Sequence, residues 1–238
     1  LHRLIRRQRQ MCIRDRESTQ PQEKIVKEGS FVEIDYTGII KDSGKVFDTT
    51  LEEVGKKEGI ERDFRPVVTI VGSGILVRGL ESSLIGKREG EEYEVELTPE
   101  DAFGEVDSNL IKQIPLKNFE KEGMDPKVGM VINANGLIGV VRSISGGRVT
   151  VDFNHPLAGK RLIYKVKIRR ILERDLDKIK GLISNYVRER FEVEVKDGEV
   201  FINLEGFDLP RVMKEGIAKR IKDHVNKNYV IKFVETFG

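Results

Sequence analysis

Apolar and polar positions alternate from Val32 onward: Val32, Ile34 and Tyr36 fall on one face of a strand and Glu33, Asp35 and Thr37 on the other, the pattern of a half-buried strand. Asp42-Ser43-Gly44-Lys45 reads as a hairpin turn, since glycine supplies the backbone freedom that a tight turn needs, and the return strand carries Phe47 and Asp48. Val67, Val68, Ile70 and Val71 predict a buried strand ended by Gly72-Ser73-Gly74. Leu76, Leu80 and Leu84 recur every four residues and predict one stripe of a short helix that Gly86 can cap. Tyr93, Val95 and Leu97 then alternate with Glu92, Glu94 and Glu96 as a half-exposed strand. The pattern up to Glu105 is a small antiparallel sheet with a helix laid across it.

A second unit follows, with strands expected at 130–133, 137–144 and 148–153, broken by Asn135-Gly136 and Gly146-Gly147 turns. From Leu162 to Ile171 a long alternating strand returns, with Leu162, Tyr164, Val166 and Ile168 opposite Ile163, Lys165 and Lys167. A small β unit lying between pieces of one sheet reads as an insertion in a surface loop, which chain thermodynamics tolerates. The remainder reads α-β-β-α-β. Leu176, Ile179, Ile183 and Val187 form a helical stripe, strands at 191–196 and 200–204 flank an Asp197-Gly198 turn, Val212, Ile217, Ile221 and Val225 form a second helical stripe, and Tyr229 to Val234 closes as a strand. The fold class is therefore α+β, and packing, including self-association into a homodimer, is the role expected of the last unit.

Composition changes this picture little. No run approaches the roughly 18 consecutive apolar residues of a membrane span, so a soluble protein without a membrane partner is expected. The formal charge of +2 is misleading, because the first sixteen residues hold six arginines against one acid and leave the body net acidic, with no basic surface for nucleic acid. That leader, residues 1–20, reads as a basic arm, a transit peptide or sequence foreign to the mature protein; Met11-Cys12-Ile13-Arg14-Asp15-Arg16 favours the last, and the leader is set aside from the fold. The lone cysteine, Cys12, goes with it, so the body has no disulfide and no thiolate metal site, which suits a reducing cytoplasm.

The hairpin brings Tyr36, Phe47 and Asp48 together and resembles the opening hairpin of the FKBP-type peptidyl-prolyl isomerases. The resemblance continues through Leu76-Val77-Arg78-Gly79-Leu80, similar to the helix entry that floors the family's pocket. It continues again at Asp101-Ala102-Phe103-Gly104, similar to the corner of its flap, and at Asn154-His155-Pro156-Leu157-Ala158-Gly159-Lys160. An insertion directly after the flap corner resembles the SlyD-like, insert-in-flap branch, and the extra C-terminal unit its long archaeal form. The resemblance implies an FKBP-like antiparallel half-barrel at residues 21–105 and 153–172, an insert-in-flap chaperone unit at 106–152 and a C-terminal α/β unit at 173–238.

It also implies an isomerase without covalent catalysis, with Tyr36, Asp48, Phe47 and Phe103 as catalytic positions and Val67, Leu76, Val77, Leu80 and Tyr164 lining the substrate pocket. Asp48, with the Tyr36 hydroxyl as its partner, would hold the twisted amide; the competing reading of this residue is a turn-capping aspartate. Where many relatives carry tryptophan this chain has Leu80, and where they carry an aromatic it has Val67, so the pocket should be wider. Phe103 stands where the flap usually offers a tyrosine hydroxyl, so one hydrogen bond to the substrate carbonyl is missing and activity should be reduced, not absent. No metal or cofactor is implied: the histidines are scattered, and His155, between Asn154 and Pro156, is assigned a structural place in the flap return. The implied partners are unfolded, proline-containing polypeptides. Leu110, Ile111, Ile114, Leu116, Phe119, Met124, Met130, Val131, Leu137 and Ile138 are many apolar residues for so small an insertion. They would form either an exposed capture patch or an ordinary small core. A holdase that binds chains without turnover is the alternative to the isomerase.

Overall fold

The computed structural model describes residues 24–134, 136–188 and 190–234. The leader and Cys12 lie outside the described residues, as does Asn135 of the expected turn. The first sheet is antiparallel, with β1 (Phe31–Ile40) at its centre between β2 (Val46–Thr49) and β9 (Leu162–Leu172), and β4 (Glu92–Leu97) outside β9. Strand β3 (Val67–Ile70) pairs with the first half of β1, Phe31 opposite Ile70, on the edge whose other half is taken by β2. Between them the chain leaves the sheet through α1 (Glu52–Lys57) and a loop to Arg65, neither marked by the sequence pattern. Register shifts at Glu33/Ile34 and Gly38/Ile39 bend β1, and such bulges add twist, which curls the sheet into a half-barrel.

Helix α2 (Arg78–Leu84) lies in that curl, with Leu80 and Leu84 buried against Val32, Ile34, Tyr36, Leu162, Tyr164 and Val166. Its N-cap is Val77, so Leu76 precedes the helix instead of opening its stripe. Gly86, at φ +81, follows the C-cap in the left-handed conformation that glycine favours. Alternation assigned Asp35 and Thr37 to a solvent face, yet Asp35 is only 3% exposed and Thr37 is also buried. The segment leaving β2 covers them: Thr50 Oγ1 donates to Asp35 Oδ1 at 2.8 Å, the Thr37 and Thr49 hydroxyls meet at 2.8 Å, and Arg169 pairs with Asp35.

A second antiparallel sheet has the order β5-β8-β7-β6, from β5 (Ile111–Pro115), β6 (Val131–Ala134), β7 (Leu137–Ser145) and β8 (Arg148–Asp152). Its core of Phe119, Ile132, Val141, Val149 and Val151 is closed by α3 (Leu116–Lys121). The sequence pattern missed β5 and α3. Asn154 clamps the two crossings into this sheet, accepting from Asp107 N at 2.9 Å and donating to Asp107 O at 3.0 Å.

The third sheet, β10 (Phe191–Lys196), β11 (Glu199–Leu204) and β12 (Val230–Val234), follows α4 (Asp175–Ser184). Strands β10 and β11 form a hairpin across Asp197 and Gly198, both at positive φ, and α5 (Arg211–His224) crosses over to make β12 parallel to β11. On α5 the buried stripe is Met213, Ile217 and Ile221, whereas Val212 is 78% exposed; spacing by four from Ile217 selects 213, not 212.

Phe31, Val68, Ile70 and Leu172 of the first sheet share one core with Ile179, Leu182, Ile183, Ile202 and Ile217 of this layer. Gly181 permits the approach, because a Cβ there would stand 2.8 Å from Val68 Cγ1. Asn185 completes it as a side-chain rung on the free edge of β3, accepting from Val68 N at 3.3 Å and donating to Val68 O at 2.6 Å. Asn185→Ala strands both Val68 groups and is expected to lower unfolding free energy by about 1–3 kcal/mol in denaturant titration; an unchanged midpoint would show the rung to be incidental.

Candidate active site

Tyr36 sits on the inner face of β1, its backbone fixed by Thr50: Tyr36 N donates to Thr50 Oγ1 at 3.0 Å and Tyr36 O accepts from Thr50 N at 3.0 Å. Its hydroxyl donates to Asp48 Oδ2 at 2.7 Å. Asp48 Oδ1 accepts from Thr49 N at 2.9 Å, the local turn bond open to any aspartate, and also pairs with the Arg62 guanidinium. The carboxylate therefore makes both the bond to its expected partner, the Tyr36 hydroxyl, and the turn bond. Burial first, and then the hydrogen bond to Asp48, raise the Tyr36 phenol above its ordinary value, so it remains a donor at any physiological pH. Burial likewise raises Tyr164; for Arg62 burial is the largest single effect and pulls downward, but the charge and hydrogen bond of Asp48 together with Tyr36 outweigh it, so the guanidinium stays a cation.

Arg62 is the site residue that sequence reading missed. It follows Asp48 by fourteen residues in a stretch without periodicity, and only the excursion of the chain between β2 and β3 returns it to the carboxylate.

The rings form a chain. Tyr36 and Tyr164 lie 5.9 Å apart between centroids, Phe47 meets Tyr164 edge-on at 5.8 Å, and Phe103 meets Phe47 edge-on at 6.4 Å. These are the preferred offset and edge-to-face contacts of aromatic quadrupoles. Gly38 makes room for Phe47, since a Cβ at that position would lie 2.5 Å from the ring's Cζ. Leu80, 1% exposed, and the half-buried Val67, Leu76 and Val77 pack into the same cluster. Glu81 ties the loop carrying Leu76 down: its carboxylate accepts from Gly72 N, Gly74 N and Leu76 N at 3.1, 3.2 and 3.1 Å. Gly79 lets the turn at Pro99–Asp101 pack against α2, because a Cβ there would lie 2.9 Å from Asp101 Cβ.

The nine sequence-selected residues thus come together, eight in a common apolar cluster and Asp48 bonded to one of its members. His155 stacks on Phe103 with centroids 4.3 Å apart and planes 3° from parallel. Among the described residues no group of three or more metal-ligating side chains gathers. A recess of about 770 Å³ is lined by Asp35, Tyr36, Thr37, Lys165, Lys167 and Arg169, of which Asp35 pairs with Arg169 and Lys167 with Glu92. No helix among the described residues is long and apolar enough to cross a membrane.

A half-barrel curled on one short helix, with an aromatic cluster on its inner face and the Tyr36, Asp48 and Arg62 group at one side, is an FKBP-like fold. Known proteins agree. A short-type peptidyl-prolyl cis-trans isomerase of Methanocaldococcus jannaschii is 40% identical over 148 residues, 61% of this chain and 93% of that protein. The FKBP-type 16 kDa peptidyl-prolyl cis-trans isomerase of Escherichia coli is 30% identical over 130 residues, 52% of this chain and 87% of that one. The FKBP-type isomerase SlyD of Aeromonas hydrophila is 39% identical over 144 residues, 59% of this chain and 61% of SlyD, and the family described as FKBP26, IF domain matches residues 112–157. The chain belongs to the FKBP-type peptidyl-prolyl cis-trans isomerases, in their SlyD-like branch.

Proposed function

We propose that the chain accelerates cis–trans isomerisation of peptide bonds preceding proline, using the recess between Tyr36, Phe47, Asp48, Leu80 and Phe103, and that the second sheet is a chaperone unit holding unfolded chain beside it. The carrying observation is the polar cluster of Tyr36, Asp48 and Arg62 at the side of an otherwise apolar, aromatic recess. The reaction breaks no bond between heavy atoms, so it asks for no nucleophile. The barrier to amide rotation is about 18–20 kcal/mol, and the unassisted step takes about 10–100 s. Millisecond turnover requires roughly 10⁴-fold acceleration, about 5–6 kcal/mol.

An apolar recess supplies part of this by removing water from the planar amide, whose resonance makes it more polar than the twisted form. The Asp48 cluster supplies more by holding groups in place for the bound chain in its twisted geometry, an interaction that favours the transition state over the ground state.

The chaperone unit rests on apolar surface. Val128, Val131, Leu137 and Ile138 are 68%, 63%, 57% and 66% exposed, while Phe119, Ile132 and Val141 fill the small core, so the insertion's apolar residues divide between core and patch. Unfolded chains are the occupant such a patch suits. On this reading residues 21–105 and 153–172 form the isomerase unit, 106–152 the insertion and 173–238 a unit whose outer strand β12, with Val230 and Val234 exposed, supports a homodimer.

The same patch favours the second reading, a holdase without turnover. The two are separated by the cis-to-trans rate of an Ala-Leu-Pro-Phe-type peptide with the full chain. Acceleration proportional to protein concentration is expected; none, with aggregation of an unfolded protein still suppressed, makes the chain a holdase.

A further inference from the structure

We propose that His155 is a substrate-contacting residue whose Nε2–H supplies, at the rim of the recess, the hydrogen bond that a phenylalanine flap cannot. The inference rests on the isomerase reading and deepens it. A prolyl segment entering the recess brings backbone carbonyls out of water, and a carbonyl so removed needs a donor. Inside, the Tyr36 hydroxyl gives its single proton to Asp48, and the Arg62 guanidinium is paired with the same carboxylate. Phe103, which overhangs Phe47, has no polar atom on its side chain.

His155 lies one ring further out, parallel to Phe103 with centroids 4.3 Å apart, and is exposed. Its tautomer is fixed by its neighbour: Leu157 N donates to His155 Nδ1 at 3.2 Å, so Nδ1 is the acceptor and the proton of the neutral ring sits on Nε2. No protein acceptor among the described residues engages Nε2.

The ring is also held in position. Asn154 N donates to Asp152 Oδ1 at 3.0 Å and Asn154 Nδ2 to Asp107 O at 3.0 Å on one side of it. On the other, Ala158 N donates to His155 O at 2.9 Å and Gly159 N to Gly104 O at 2.8 Å, which joins this turn to the flap corner carrying Phe103. A preoriented donor with an unused proton beside an apolar rim is suited to a carbonyl, and loop closure alone would need only Nδ1.

The test combines His155→Phe, which keeps a stacking ring and removes the donor, with Phe103→Tyr, which returns a hydroxyl one ring away. In the full chain His155→Phe is expected to lower kcat/KM on the prolyl tetrapeptide about three- to ten-fold, and to weaken peptide binding measured by calorimetry, with the far-ultraviolet spectrum unchanged. Adding Phe103→Tyr to that variant is expected to restore the rate to within about two-fold of the parent, a larger gain than Phe103→Tyr gives alone. Unchanged kcat/KM and binding in His155→Phe, or a loss that the added hydroxyl leaves untouched, overturns the proposal and assigns His155 to loop closure. A parent chain that binds the peptide without accelerating it sinks the isomerase reading only, because the binding arm still decides His155; a parent that does neither overturns both.

Discussion

Excising residues 106–151 and bridging the gap with a short glycine-serine linker is expected to leave catalysis on a tetrapeptide within a few-fold of the parent. The same excision should lower catalysis of a proline-limited refolding reaction by about 100-fold, the scale of the local-concentration advantage that tethered binding confers. The structure allows the operation. The inserted sheet has its own core of Phe119, Ile132, Val141, Val149 and Val151, none of which belongs to the cluster around Tyr36 and Leu80. Its two crossings run side by side, with Asp107 bonded to Asn154 and Phe153 N donating to Leu110 O at 3.0 Å, so the cut ends need little linker. Phe103 and His155 both stay in the shortened chain. The parent's advantage should fall when an unfolded competitor lacking proline is added, since it occupies the exposed patch without entering the recess. Equal losses on tetrapeptide and refolding protein would show that the insertion supports the pocket instead of collecting substrate.

Asp48→Ala is expected to reduce kcat/KM on the tetrapeptide by roughly ten- to hundred-fold, the equivalent of about 1.5–3 kcal/mol for hydrogen bonds to a charged group. The carboxylate is the common partner of the Tyr36 hydroxyl and the Arg62 guanidinium, and its removal frees both from the arrangement that fixes them beside the aromatic rings. Stability should change much less, because the Asp48 and Arg62 side chains are each about one-third exposed and such pairs contribute under about 1 kcal/mol. Tyr36→Phe removes one bond of the cluster and should be the milder variant. The double variant should fall short of the product of the two singles, as expected for groups acting as a unit. Full activity in Asp48→Ala, measured beside an unaltered unfolding midpoint, would reduce this carboxylate to a turn cap and transfer the burden of catalysis to desolvation alone.

Local chemistry made much of the fold legible. The alternation of Val32, Ile34 and Tyr36 placed the inner face of β1, and Asp197-Gly198 marked the hairpin between β10 and β11 because both residues must take positive φ there. The aromatic members of the recess were legible in a different way, through order and spacing that match a family, since an aromatic on a strand is by itself more often core. Where periodicity was read one position off, as with Val212 for Met213, the error was angular: one residue rotates about 100° around a helix, enough to exchange core for solvent.

By itself, then, the sequence determined most of the longer strands and helices and their apolar faces, because those follow from steric preference and from spacing along a single element, though it left α1, β5 and α3 unmarked. The tertiary structure alone decided what meets across distance. It returned Arg62 to Asp48, buried Asp35 beneath Thr50, joined Val68 to Gly181 and Asn185 in a shared core, and set His155 on Phe103. Each of these contacts depends on how loops close and how sheets curl, and a charged or polar side chain in an aperiodic loop has no local pattern from which its partner can be read.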